Sequence, residues 1–288
     1  MKYTLSILTI GAAVCGLLST LSHSAPADGS PVTARIDGEN YVALFYSDGS
    51  NPSVGIMEIN DRLSEIGVRV TQVPIPGAAR PILRTSKQRK LSPNESDELI
   101  QHFQLGRREL LDEIHRAGRS PEMHRGGYLQ TSEVDVAPYP KVYDMNALDD
   151  SLRAYLQEKF GRLHVNSSEA GVGIDEVMTI VSGGPYTWFF VLKNNVVGKL
   201  RLGTVAEDGK AWRLSYPGLV PHGGYFDAQD GLVVAYAHGP KHFVMRYDDP
   251  SVEGFGTLGD NPWIDFTTDK PRLLDRPKEM ADTRKDAR

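Results

Sequence analysis

The sequence predicts an α+β fold, and three observations carry that expectation. Apolar residues recur at helical spacing in the first half, from Val54 to Ile66 and again from Leu99 to Ile114. From about Ile174 the period changes to alternation, in segments rich in Val, Tyr, Phe and Trp. Short turns separate these segments, which suits a mostly antiparallel sheet, strongly curved or closed into a partial barrel. An N-terminal strand and helix portion over residues 41–160 would pack on an antiparallel β portion over residues 161–266. No low-complexity linker divides them, so one compact unit is expected.

Ahead of these, Lys2 is followed by an uncharged apolar stretch from Leu5 to Leu21 and then by the small residues Ser22, Ser24 and Ala25. This is the three-part form of a secretory leader, so residues 1–24 are expected to be cleaved and the mature chain to be periplasmic or secreted. Gly, Ser and Thr dilute the stretch below the roughly 20 well-filled apolar positions of a membrane span, so no stable membrane anchor is expected after cleavage. Cys15 follows Val14 and sits inside the apolar stretch, unlike a lipidated cysteine. Its loss with the leader would remove the one thiol of the chain and exclude disulfides and thiolate sites.

The formal charge of the 288 residues is −5, one unit more negative once Lys2 leaves. An acidic chain gives no electrostatic case for nucleic acid, which requires concentrated Lys and Arg. The one basic run, Arg84 to Lys90, borders an acidic helix start and reads as a solvated loop.

Residues 25–40 are rich in Pro, Gly and Asp and read as a flexible lead-in. Tyr41 to Tyr46 (YVALFY) is a strand, Val54 to Ile66 a helix ended by Gly67, and Val68 to Ile75 a second strand. Ser92-Pro93 opens the clearest helix, with Ser92 as cap, Pro93 in the first turn and Glu95 completing a capping box. Gly106 bends or divides it, and Gly118 ends it. A long connection, Arg125 to Tyr143, holds Tyr128, Tyr139 and Tyr143. A helix over Asn146 to Phe160 follows, with Leu148, Leu152, Tyr155 and Leu156 on one face. Strands are expected at 174–182, 186–192, 196–204, 211–216, 231–238 and 242–248. Ser182-Gly183-Gly184-Pro185 is a bend between two of them, and residues 267–288 are a charged, disordered tail.

Chemistry-bearing residues concentrate between Pro221 and Asp249. If Gly239, Pro240 and Lys241 form a turn, His238 and His242 oppose each other on one face of a hairpin, roughly 5 Å apart at Cβ. Tyr236 and Arg246 would share that face, while Ala235, Ala237, Phe243 and Met245 would point to the other. Three uses suit such a face. The histidines with His222 or Asp227 could hold a divalent metal; a histidine oriented by Asp227 or Asp175 could act as general acid or base; or Arg246 with Tyr225 and Tyr236 could grip an anionic ligand. Asp175 and Glu176 are adjacent on a strand, so at most one faces any cavity. Trp188, Trp212 and Trp263 fall in or beside the strand-rich half and suit core packing or the mouth of a cavity. Asn94 and Asn166 stand in glycosylation sequons, and no serine nucleophile motif is present.

The expected function is that of a periplasmic or secreted binding or accessory protein, its small molecule held by the C-terminal sheet. The candidate ligand-binding residues are Tyr225, Tyr236 and Arg246. The alternative is an exported hydrolase or lyase using His222, Asp227, His238 and His242. A third class is a module that binds or inhibits another extracytoplasmic protein. No cofactor is implied by any motif.

Overall fold

The computed structural model describes residues 41–120, 139–206, 209–240 and 242–278, all within one compact unit. The fold is mixed α+β, as the change of period predicts. Its strands are β1 (Val42–Tyr46), β2 (Ser53–Val54), β3 (Arg69–Pro74), β4 (Lys141–Asp144), β5 (Val165–Ser167), β6 (Asp175–Gly183) and β7 (Tyr186–Val191). They continue with β8 (Val197–Leu202), β9 (Lys210–Tyr216), β10 (His222–Tyr225), β11 (Gly231–His238), β12 (Val244–Arg246), β13 (Ile264–Asp265) and β14 (Arg272–Leu273). Five helices accompany them: α1 (Ile56–Leu63), α2 (Arg80–Ser86), α3 (Pro93–His102), α4 (Arg107–Arg116) and α5 (Asp150–Gly161).

Two five-stranded antiparallel sheets form the scaffold, in the orders β10-β7-β8-β1-β2 and β3-β9-β6-β11-β4. Strands from the first half of the chain join both: β1 pairs with β8, and β3 with β9. The inner faces meet through side chains such as Trp188 and Phe190 from the first sheet and Ile180, Trp212 and Leu214 from the second. Phe190 and Tyr216 touch across the gap, ring centroids 5.5 Å apart. The outer face of the second sheet is covered by α2, α3 and α4, which pack on β4, β6, β9 and β11. The outer face of the first buries Phe189, Val191, Val197 and Tyr225 against Trp263 and Ile264. Burial on both faces explains why YTWFFV reads as a continuous apolar run.

Local signals set the boundaries. Ser92 accepts from the Glu95 amide and Glu95 returns to the Ser92 amide, the expected capping box. Gly106 divides the long helical pattern into α3 and α4. The Gly183-Gly184 bend carries the chain from one sheet to the other, with Gly183 at φ 70 and a Cβ there only 2.2 Å from the Asp230 carbonyl oxygen.

Some expectations are corrected. The basic run begins inside α2, whose Ile82 and Leu83 are buried while Arg84 and Lys87 stay in solvent, so only its second half is loop. The helix over 146–160 starts at Asp150, capped by Asp149, and its Leu152 and Tyr155 are exposed. The tail is ordered as far as Lys278, because β14 pairs with β13 and Lys199 donates to the Leu274 carbonyl at 2.9 Å. Burial lowers that ammonium to about 8. The leader, the lead-in, Arg125, Tyr128 and the last residues of the tail lie outside the described residues. No helix among the described residues is long and apolar enough to cross a membrane.

Candidate functional site

Between the inner faces lies a cavity with about 40 Å3 open to the centres of water-sized molecules. Its polar wall is His164, Asn166, Glu176 and His222, and its apolar wall includes Trp188, Phe226, Phe243, Met178 and Met245. Register explains why there is space. Glu176 and Met178 on β6 stand opposite Ala237 and Ala235 on β11, so the two longest inward side chains have the smallest neighbours. Gly224 on β10 faces Trp188 on β7 and contributes nothing beyond its backbone.

Two histidines meet although 57 residues separate them. His164 and His222 exchange both backbone hydrogen bonds at 2.9 Å in an isolated antiparallel bridge, and their rings lie 4.7 Å apart. Each ring is fixed the same way, His164 Nδ1 to the Arg162 carbonyl and His222 Nδ1 to the Val220 carbonyl, both at 2.7 Å. A carbonyl oxygen only accepts, so in the neutral imidazoles Nδ1 carries the hydrogen and Nε2 keeps its lone pair. Burial, with His222 adding, pushes His164 well below the usual imidazole range and holds it neutral.

Asn166 bridges the polar wall. Its Nδ2 lies 2.8 Å from Glu176 Oε2 and 3.0 Å from His222 Nε2, whereas its Oδ1 is buried without a hydrogen-bond partner. Glu176 also accepts from the Tyr139 hydroxyl on Oε1, and Tyr216 is its cross-strand neighbour. Burial raises the Tyr139 and Tyr216 phenols well above their ordinary range, with the Glu176 charge adding, so both stay protonated donors.

The site residues expected from sequence scatter. His222 reaches the cavity, and of the Asp175-Glu176 pair only Glu176 does. Asp175 turns outward, its Oδ2 3.6 Å from Arg119 Nε. Asp227 bonds to Arg201 and Thr187. Thr187 and Arg201 alternate with the inward Trp188 and Leu200, so Asp227 and His222 are served by opposite faces of one sheet. The hairpin about Gly239-Pro240-Lys241 is not formed. β11 pairs with β6 and β4, while β12 pairs with β5, which leaves His238 buried beside Asp175 under the helices and His242 exposed. Lys241 itself is outside the described residues.

Tyr236 also faces the helices, its hydroxyl 3.4 Å from the Ile100 carbonyl. Tyr225 bonds to the Pro271 carbonyl at 2.7 Å, and Arg246 to Ser167 Oγ and the Ser168 and Glu169 carbonyls. The sequon asparagine Asn166 is 2% exposed and engaged, with no room for a glycan. The predicted alternation is right, but its apolar face, with Ala235, Ala237, Phe243 and Met245, is the one turned to the cavity.

His164, Asn166 and Tyr216 were not expected as site residues. The signal available was the alternation in Leu163-His164-Val165-Asn166, which puts His and Asn on one face of a short strand and Leu and Val on the other.

No family model matches the chain, and no curated protein matches it. Among solved structures it is similar to an acireductone dioxygenase from Bacillus anthracis with a cadmium ion in its active centre, at 15% identity and TM-score 0.49, over 73% of this chain and all of that one. Among the described residues of this chain, no group of three His, Cys, Asp or Glu side chains is placed to share a metal ion.

Proposed function

We propose that this chain is an exported protein that binds a small molecule in the cavity between its two sheets. The observation that carries the reading is the buried polar wall. Glu176, Asn166, His164 and His222 are each at most 3% exposed, yet besides the bonds made by the Asn166 amide they converge on open space. Buried polar groups are costly unless they are satisfied, and Asn166 Oδ1 is not. Apolar and aromatic walls with a few convergent polar groups are the usual make-up of a ligand site.

A thermal-shift screen of small metabolites on the mature chain tests this. A ligand at a hundred times its Kd stabilises by about 2.7 kcal/mol, which raises the Tm by roughly 5–10 °C. Gly224→Val supplies the control. A Cβ at Gly224 meets Trp188 Nε1 at 3.6 Å, an ordinary contact, so the variant is expected to fold and to fill the cavity. It should abolish the ligand-induced shift; a shift that survives in Gly224→Val places binding elsewhere and overturns the reading.

Export rests on the leader composition, and mass analysis of the protein recovered from its native host tests it. A mature N-terminus at or near Ala25 is expected, and an intact Met1 overturns it.

A further inference from the structure

The polar wall of His164, Asn166 and His222 has its hydrogens already committed. The Tyr139 hydroxyl donates to Glu176. Asn166 Nδ2 is shared between Glu176 and His222, and both imidazole Nδ1 hydrogens go to backbone carbonyls. What remains is acceptors: the His164 Nε2 lone pair, the unpartnered Asn166 Oδ1 and the Glu176 carboxylate.

Tyr139 and the Asn166 amide donate to Glu176, and no lysine or arginine among the described residues pairs with it. Its nearest charged-type partner is His222 Nε2, at 3.6 Å. That nitrogen lies 3.0 Å from the Asn166 amide nitrogen and accepts from it. A buried carboxylate among aromatic rings, with no cation on it and the acceptors His164 Nε2 and Asn166 Oδ1 in the same wall, selects a ligand that brings positive charge and hydrogens together.

Resting on the small-molecule reading above, we propose that the ligand is a small primary amine in its protonated form. Its ammonium would sit among Glu176, Asn166 Oδ1 and His164 Nε2, and its short apolar body against Trp188, Phe226 and Phe243. A metal ion is disfavoured by the Asn166 amide hydrogens, which stand between Glu176 Oε2 and His222 Nε2 where the ion would need a third acceptor. The limited volume restricts the body to a few non-hydrogen atoms.

Titration calorimetry of the mature protein with three isosteric probes decides it: n-butylamine, n-butanol and butyrate, near neutral pH. Butylammonium is expected to bind at least about tenfold more tightly than butanol, the least that losing a buried charge-assisted contact costs, and butyrate not at all. Glu176→Gln should erase the preference for amine over alcohol, and Glu176→Asp should keep its order. Trp188 fluorescence should respond to the amine in the wild type and not in Gly224→Val.

Butanol or butyrate binding as tightly as the amine overturns the proposal, as does stoichiometric Zn2+ binding that displaces butylamine. If butylamine fails while other compounds shift the Tm through the Gly224-sensitive site, the amine assignment falls and the small-molecule reading stands. If nothing shifts it, both fall.

Discussion

Replacing Arg201 with methionine is expected to cost about 3–5 kcal/mol of stability at about pH 8 and much less at about pH 5. Arg201 and Asp227 form an ion pair in which each side chain is 15% exposed. Arg201 Nη1 also donates to Thr187 Oγ1 at 2.7 Å, whereas Asp227 Oδ1 is buried without a hydrogen-bond partner. Even with the guanidinium beside it, burial dominates and raises the Asp227 carboxyl to about 6.

The sign follows from linkage. A carboxyl whose folded pKa is raised favours the folded state fully below its unfolded value near 3.8, and that contribution is lost as pH rises through about 6. Without Arg201 the main opposing influence is gone, so the folded pKa moves higher and the loss with pH deepens. At about pH 5 the carboxyl is protonated in the variant and burial of the neutral acid is tolerable. At about pH 8 an unpaired charge must be buried or must drag a proton in. Chemical denaturation of both proteins at the two pH values checks this. A penalty that does not grow with pH, or one under about 1 kcal/mol at pH 8, contradicts it.

What was legible in the sequence divides along the range of the interactions involved. Strands β6 to β9 and β11 stand within a few residues of where alternation and β-branched or aromatic composition put them, because those signals are local. The Ser92 capping box and the division at Gly106 are local as well. Pairing is not. The segment at 242–248 looks like the return arm of a hairpin with β11, but β12 pairs with β5, nearly eighty residues away in sequence. No periodicity within 231–248 distinguishes those partners.

The same limit explains the site. Alternation separates Tyr236 and His238 from Ala235 and Ala237, yet it cannot say which face meets the other sheet. The polar residues of this strand mark the face that lies under the helices, while the face turned to the cavity is marked by its small residues, which leave room opposite Glu176 and Met178. His222 and the single-facing rule for Asp175-Glu176 were within reach of the sequence. The bridge from His222 to His164 required the fold.

The position that holds this bridge region together is Gly218, and Gly218→Ala is expected to destabilise the protein by about 3 kcal/mol or more and to abolish ligand binding in the cavity. Gly218 lies where the chain leading from β9 to β10 crosses between β5 and the start of β6. It accepts from the Asn166 amide at 2.7 Å and donates to Asp175 Oδ1 at 3.2 Å. A Cβ there would stand 2.2 Å from the Ile174 carbonyl oxygen, 2.3 Å from that of Asn166 and 2.5 Å from the Ile174 nitrogen. All three are backbone atoms, so no side chain can swing aside. Relief requires parting the two strands that carry Asn166 and Glu176, whose side chains are joined at 2.8 Å. Gly224→Ala is the matched control, because its Cβ meets nothing closer than 3.6 Å and a glycine replaced without strain gains about 0.4–1 kcal/mol from a stiffer unfolded chain. Denaturation midpoints of the two variants read the difference directly. Equal stabilities would mean that the backbone at Gly218 yields without cost, and that the convergence of Asn166 on Glu176 does not depend on it.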